Sequence, residues 1–251
     1  MKTYHAMLVF SALVLVFAGG AGPGPDVSPD EALRQLEAGN ASFQAGENRH
    51  PRASVHRMAS TAEQGQQPVA SILSCSDSRV PAEIVFGLGI GDVFVVRVAG
   101  NVCGEDELGS LEYGVDHLGT PLLVVMGHTR CGAVTAAVTG AELHGHIVPL
   151  VDHIHPAVDA ARRANPQLSG KELVPAAIEA NVWESVRQLL TQSPIVRGRV
   201  VAGKLKIVGA VYHIEDGRVQ WLGSLPGQAQ LLRSLSAGNR AAPGVPAAAA
   251  H

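Results

Sequence analysis

The chain has 251 residues, 46% of them apolar and 16% charged, with a formal net charge of −3. Those proportions allow one large domain with its own core. They exclude the strongly basic surface that a nucleic-acid or anionic-membrane partner would require, so no nucleic acid is expected. Aromatic residues are only 4%, which leaves Val, Leu, Ile and Ala to fill the interior.

At the start, Lys2 precedes an apolar run over residues 6–17, followed by small residues at 18–22. A positive residue, a short apolar stretch and small residues predict a signal peptide over residues 1–21, cleaved near Ala21. The run is too short to span a bilayer comfortably, and an uncleaved anchor is the weaker alternative. No cysteine stands near the cleavage region, which excludes a lipid-anchored form. The expectation is an exported protein, periplasmic or secreted, without a stable membrane anchor after cleavage.

Residues 22–236 read as a single domain. Ser28-Pro29-Asp30-Glu31 predicts a helix start, with Ser28 as N-cap, Pro29 in the first turn and Glu31 closing a capping box. This N-terminal arm runs to about Gln44, and a polar region then leads to Gly65-Gln66-Gln67-Pro68. Residues 69–74 predict the first strand, followed by a loop at Cys75 and a short helical segment from Pro81. A second strand over 93–98 ends in Ala99-Gly100-Asn101. A helix over 108–118 stops at Gly119, and a third strand follows over 121–126 with a helix from Cys131 to Val138 directly behind it.

Two longer helices are expected over 147–164 and 171–192. A hairpin follows, with strands over 205–214 and 218–222 around the turn Glu215-Asp216-Gly217. Residues 237–251 are low in complexity and read as a disordered tail. Near-continuous apolar strands alternating with helices give an α/β fold. Its mostly parallel central β-sheet is flanked by helices, with an N-terminal helical arm and a C-terminal β-hairpin.

Two short motifs carry the chemistry: Cys75-Ser76-Asp77-Ser78-Arg79 and His128-Thr129-Arg130-Cys131. Both follow predicted buried strands, and in an open parallel sheet sites form beyond the carboxyl ends of the strands. Two thiolates and one imidazole make three corners of a zinc tetrahedron and leave the fourth for water. Cys131 falls near a helix start, where the backbone dipoles favour thiolate. Two thiolates neutralise the ion's formal charge, so bound water is acidified less than at a three-histidine centre. Asp77 can compensate by orienting a zinc-bound hydroxide, provided it stays ionised and off the metal, and the Arg79 fork is suited to hold it there.

Simpler readings stand beside these. Three cysteines in an exported chain can mean one disulfide and a spare thiol. An Asp–Arg pair two residues apart is usually a turn contact. Cys103 has no motif around it and reads as half-buried without a role. His144, His146, His153 and His155 read as solvated surface.

Taken together, Cys75-Ser-Asp-Ser-Arg79, Ala99-Gly-Asn101, Gly109-Ser-Leu-Glu-Tyr113 and Gly127-His-Thr-Arg-Cys131-Gly resemble a β-class carbonic anhydrase over roughly residues 28–223. The resemblance implies one Zn2+ per subunit on Cys75, His128 and Cys131, with Asp77 and Arg79 as the catalytic dyad. It implies reversible hydration of CO2 to bicarbonate, and a homodimer or dimer of dimers embraced by the N-terminal arms. Gly65-Gln66-Gln-Pro68 is similar to the plant-like, open-site branch. That likeness implies Gln66, Phe94, Ala99 and Tyr113 as substrate-binding residues, partly supplied across the dimer interface, and His117 as a proton relay. Val98 departs from the family, where many members have Asn, and puts the hydrogen bonding of that loop in question. Alternatives on the same scaffold are a CS2 or COS hydrolase and a non-catalytic, zinc-stabilised assembly module.

Overall fold

The computed structural model describes residues 24–47 and 52–240. Five strands form one sheet: β1 (Ala70–Ser74), β2 (Val93–Arg97), β3 (Leu122–His128), β4 (Lys206–Tyr212) and β5 (Val219–Gly223), in spatial order β2-β1-β3-β4-β5. The first four run parallel, and β5 returns antiparallel to β4 as the expected hairpin. Every residue of β1 and β3 is buried. This is why both read as unbroken apolar runs rather than alternating ones.

The helices, in chain order, are α1 (Pro29–Gln44), α2 (Val55–Gln64), α3 (Ala82–Val85), α4 (Glu105–Glu112), α5 (Gly132–Thr139), α6 (Ile147–Asp152), α7 (His155–Ala164), α8 (Val174–Gln192), α9 (Pro194–Val201) and α10 (Gln228–Arg240). Neighbouring strand residues point to opposite faces, and two apolar clusters result. Leu73, Leu123, Val125 and Ile207 pack with α4, α5, α7 and α8 on one face. Ile72, Val124, Met126 and Val208 pack with α1 and α3 on the other.

The arm α1 is fixed to the body by chemistry as well as packing. Ser28 Oγ accepts from the Glu31 N–H at 3.2 Å, and Pro29 opens the helix. The Glu31 carboxylate pairs with Arg34, so the capping box is only half made. Gly39 faces the Phe86 backbone so closely that a Cβ there would lie 1.9 Å from its carbonyl oxygen. The buried Asn40 donates from Nδ2 to the carbonyls of Val85 and Gly217, at 3.2 and 2.9 Å, and accepts from the Val219 N–H at 2.9 Å. One side chain thus ties the arm to the end of α3 and to the hairpin.

Several elements differ from expectation. The helix expected over 147–164 is two, α6 and α7, and Pro156 in the first turn of α7 supplies no N–H to continue the preceding ladder. The helix expected from residue 108 begins at Glu105, where Glu107 Oε2 accepts from the Gly104 N–H at 2.9 Å, and it ends in a wide π turn over Tyr113–His117. A 3-10 turn over Gly170–Leu173 precedes α8. Helices α2, α9 and α10 were not expected. Ser54 and Ser193 cap the first two, and α2 buries none of its own residues in this chain. Helix α10 carries the chain through residues 237–240, into the stretch read as tail. The remaining tail residues and the signal segment 1–21 lie outside the described residues. Among the described residues no helix is long and apolar enough to cross a membrane.

Candidate metal centre

The strand order places the centre. The chain steps from β1 to β2 on one side, then crosses back to β3 on the other, which makes the β1/β3 boundary a topological switch point. Ser74 pairs with Met126 there, so Cys75 and His128 emerge side by side although far apart in sequence. His128 is the last residue of β3 rather than a loop residue, and Cys131 is the N-cap of α5. The two sulfurs and an imidazole nitrogen lie within 4.8 Å of one another, and all three residues are buried. Zinc–ligand lengths would put such atoms roughly 3.5–3.8 Å apart around a tetrahedral ion. The three cysteines are unpaired, so no disulfide competes for them.

His128 is prepared as a ligand. Its Nδ1 lies 2.8 Å from the Thr129 carbonyl oxygen, an atom that can only accept, so Nδ1 carries the proton and Nε2 presents its lone pair. That Nε2 is buried without a hydrogen-bond partner. An orphaned nitrogen facing two sulfurs fits a soft or borderline cation, and the donor set suits zinc. Cys75 is held far below the ordinary thiol range, first by the neighbouring Cys131 thiol and next by the His128 ring, with the Asp77 and Gly100 N–H groups assisting. Cys131 is raised correspondingly by the same contact and by burial. With the two thiols this close, ionising one opposes ionising the other, and a divalent cation would relieve that opposition.

Asp77 stands beside this set without joining it. Its Oδ2 is 3.9 Å from His128 Nε2. Arg79 grips it with two parallel bonds, Nε to Oδ1 at 2.9 Å and Nη2 to Oδ2 at 2.7 Å, and adds its backbone N–H to Oδ1 at 3.0 Å. The guanidinium holds the Asp77 carboxyl well below the usual carboxylate range. The pair is a turn contact, as the simpler reading had it, and it also fixes a charged oxygen at the open side of the donor set.

The loop question raised by Val98 has a direct answer. Main-chain bonds join Val98 N–H to the Ser74 carbonyl at 3.1 Å and Ser76 N–H to the Val98 carbonyl at 3.2 Å. Arg97 donates from Nε to the Cys75 carbonyl at 3.2 Å and from Nη2 to the Asp77 carbonyl at 2.7 Å. The loop is therefore held without help from the side chain at 98.

The other expected residues divide. Ala99 begins the turn whose Gly100 N–H donates to Cys75 Sγ at 3.3 Å, so it belongs to this end of the sheet. Gln66, Phe94, Tyr113 and His117 do not border the centre within one chain. Gln66 and Tyr113 line a cleft of about 600 Å3 with Met58, Ile90 and Gly91, at the opposite end of the parallel strands. Phe94 pairs with Ser71, about 13 Å along β1 from Cys75. Its ring centroid is 5.9 Å from that of Tyr113, and Tyr113 stacks on His117 at 4.6 Å. Cys103 is fully rather than half-buried, and burial pushes its thiol up to about 12, so it is inert packing.

Sequence reasoning passed over Glu215. Its carboxylate accepts from Thr129 Oγ1 at 2.6 Å and from Arg130 Nε at 2.7 Å, while the Ile214 N–H donates to Thr129 Oγ1 at 3.1 Å. The hairpin turn thereby holds the segment between two ligands, where Arg130 has a left-handed φ of 56°. The signal was present in the sequence as an acid at a hairpin tip, but nothing in the sequence shows what it faces.

The Thr129 hydroxyl, aided by the residue's own N–H and by Arg130, lowers Glu215 from 4.5 to about 2. A depressed carboxylate stabilises the fold above its unfolded value and loses that contribution as pH falls through the folded one. Urea midpoints of wild type and Glu215→Gln should therefore differ by a constant amount above about pH 5, with the gap closing towards pH 2. A gap that does not change with pH would show that the carboxylate charge contributes nothing.

Comparison with known proteins agrees with this geometry. The sequence profile of the carbonic anhydrase family matches residues 70–219. Carbonic anhydrase 2 of Mycobacterium tuberculosis is 41% identical over 198 residues, covering 77% of this chain and 93% of that protein. The β-carbonic anhydrase CafA of Aspergillus fumigatus superposes with a TM-score of 0.66 at 27% identity, covering 82% of this chain and 95% of that one. One of two tetrameric β-carbonic anhydrases from Sordaria macrospora superposes with a TM-score of 0.61 at 25% identity, over 77% and 95% of the two chains. With a switch-point crevice, a Cys-His-Cys donor set and a carboxylate clamped beside it, the chain belongs to the β-class carbonic anhydrases.

Proposed function

We propose that this enzyme catalyses the reversible hydration of CO2 with one zinc ion per subunit held by Cys75, His128 and Cys131. The observation that carries the reading is the separation of roles at the centre: three buried donors close together, and an ionised carboxylate just outside them. A purely structural zinc site is closed by four protein ligands and has no use for a clamped Asp77. Zinc, when bound, supplies a Lewis acid that turns water into a nucleophile near neutral pH.

The chain's own residues do the rest. Asp77 accepts a hydrogen bond at the open side and so orients the attacking oxygen, and Arg79 keeps it ionised and away from the ligand positions. The apolar faces of Ala99, Phe94 and Tyr113 receive CO2 without offering competing hydrogen bonds, and Gln66 orients one of its oxygens. His117 passes the released proton outward. Because Gln66, Phe94, Tyr113 and His117 sit at the far end of the sheet, they serve the centre of a second copy in a homodimer or dimer of dimers. Support comes from the apolar side chains that this face leaves exposed, among them Val55 at 82%, Met58 at 56% and Tyr113 at 45%. Among the described residues the outer edge of β2 is also unpaired. Residues 1–21 direct the enzyme out of the cytoplasm.

Stopped-flow CO2 hydration on protein of known metal content is the direct test. Cys75→Ser should lose zinc and activity together. Asp77→Asn should keep one zinc per chain and lose about 100-fold or more in rate. Wild-type rates in Asp77→Asn would falsify the role of the carboxylate, and faster turnover of CS2 than of CO2 would move the assignment to the alternative substrate. Met58→Asp should shift the sedimenting species towards monomer and depress activity while zinc is retained. An active monomer would remove the shared-site arrangement.

A further inference from the structure

We infer that Asn181 and Ser185 on α8 are positioning residues for the Cys75 sulfur, a role that rests on the zinc reading above. Helix α8 buries an otherwise apolar stripe of Ala177, Ile178, Val182, Val186 and Leu189, and these two polar residues interrupt it one turn apart. They are 1% and 2% exposed. A buried amide or hydroxyl is costly unless its hydrogen bonds are made. Both direct a donor at the same short turn. Asn181 Nδ2 donates to the Gly100 carbonyl at 2.6 Å, and Ser185 Oγ lies 2.9 Å from the Asn101 carbonyl. The hydroxyl's one proton is shared with the Asn181 carbonyl of its own helix, at 3.1 Å.

The turn they hold is unusual. Gly100 and Asn101 are both left-handed, with φ of 73° and 45°, a conformation that costs a non-glycine residue free energy. A Cβ at Gly100 would come within 2.7 Å of Ile154 Cδ1, so the backbone is pressed against the residue that precedes α7. In this conformation the Gly100 N–H donates to Cys75 Sγ at 3.3 Å. Its carbonyl is the atom that Asn181 holds. Fixing one side of the residue fixes the other.

The chemical consequence falls on the sulfur. An N–H bond to a thiolate draws electron density from it and lessens what it donates to a cation. Cys75 receives one such bond from Asp77, inside its own loop, at 3.4 Å. The second comes from Gly100 and is maintained by a helix that supplies none of the three donor residues. Asn181 and Ser185 thus set how electron-rich one ligand is, and how firmly its loop is kept.

The experiment uses the full-length protein loaded with zinc or with cobalt(II), comparing wild type with Asn181→Ala and Ser185→Ala. Leu189→Ala serves as a control on the same buried helix. Asn181→Ala should move the sulfur-to-cobalt charge-transfer band to lower energy, as expected of a more electron-rich sulfur, and lower zinc affinity in chelator competition by about 10–100-fold, because the released loop costs more than the richer sulfur gains. Ser185→Ala should do the same to a smaller degree, and it carries the test if Asn181→Ala does not fold. Leu189→Ala should lose stability with an unchanged band. If the alanine variants at 181 and 185 lose stability as the control does, while band and zinc affinity stay as in wild type, the positioning role is overturned. A wild-type protein that takes up neither metal overturns the zinc reading, and this role with it.

Discussion

Parallel pairing of β1 with β3 is the constraint on which the centre depends. Their register sets Ser74 against Met126, so Cys75, just past the end of β1, comes beside His128, the last residue of β3. A slip of one residue would turn every side chain of a strand to the other face. Both faces of this sheet are packed with large apolar clusters, so such a slip would expose or bury the wrong set throughout. The core therefore enforces the geometry of the donor set, and Cys75 and Cys131 are themselves part of it.

Around that fixed pair, the remaining groups are held by a shell of hydrogen bonds drawn from distant parts of the chain. The Thr129 carbonyl sets the tautomer of His128. Arg97, at the end of an edge strand, holds two carbonyls of the Cys75 loop. The hairpin turn holds Thr129 and Arg130 through Glu215. Guanidiniums serve three of these positions, at 79, 97 and 130. The planar fork of Arg suits paired oxygens and remains charged at any working pH. Such a shell keeps the donors aligned before a cation arrives, and it limits the reorganisation that binding has to drive.

Much of this was legible in the sequence where a local pattern had a local cause. The strands announced themselves because both sheet faces are covered, and the cysteine and histidine motifs sat at their ends. The Asp77–Arg79 grip could be anticipated because both partners lie in one short loop. What could not be read depends on partners remote in sequence. Glu215 looked like any acidic turn residue, and Asn181 and Ser185 needed knowledge of what α8 faces, although two polar residues inside an apolar stripe were a visible irregularity. Helix α2 is hard to read because none of its apolar side chains is buried within the described residues. The break between α6 and α7 has a local cause in Pro156, in the first turn of α7.

The sheet carries its donor set at one end and the cleft of Gln66 and Tyr113 at the other. In the proposed dimer each working centre is then a hybrid, with the ligands and Ala99 from one protomer and the Gln66, Phe94 and Tyr113 walls from its partner. A chain mutated at Cys75 and a chain mutated at Tyr113 are each defective alone. Co-expressed, they can pair to form one centre free of both lesions, so partial recovery in a mixed population is the genetic signature of this layout.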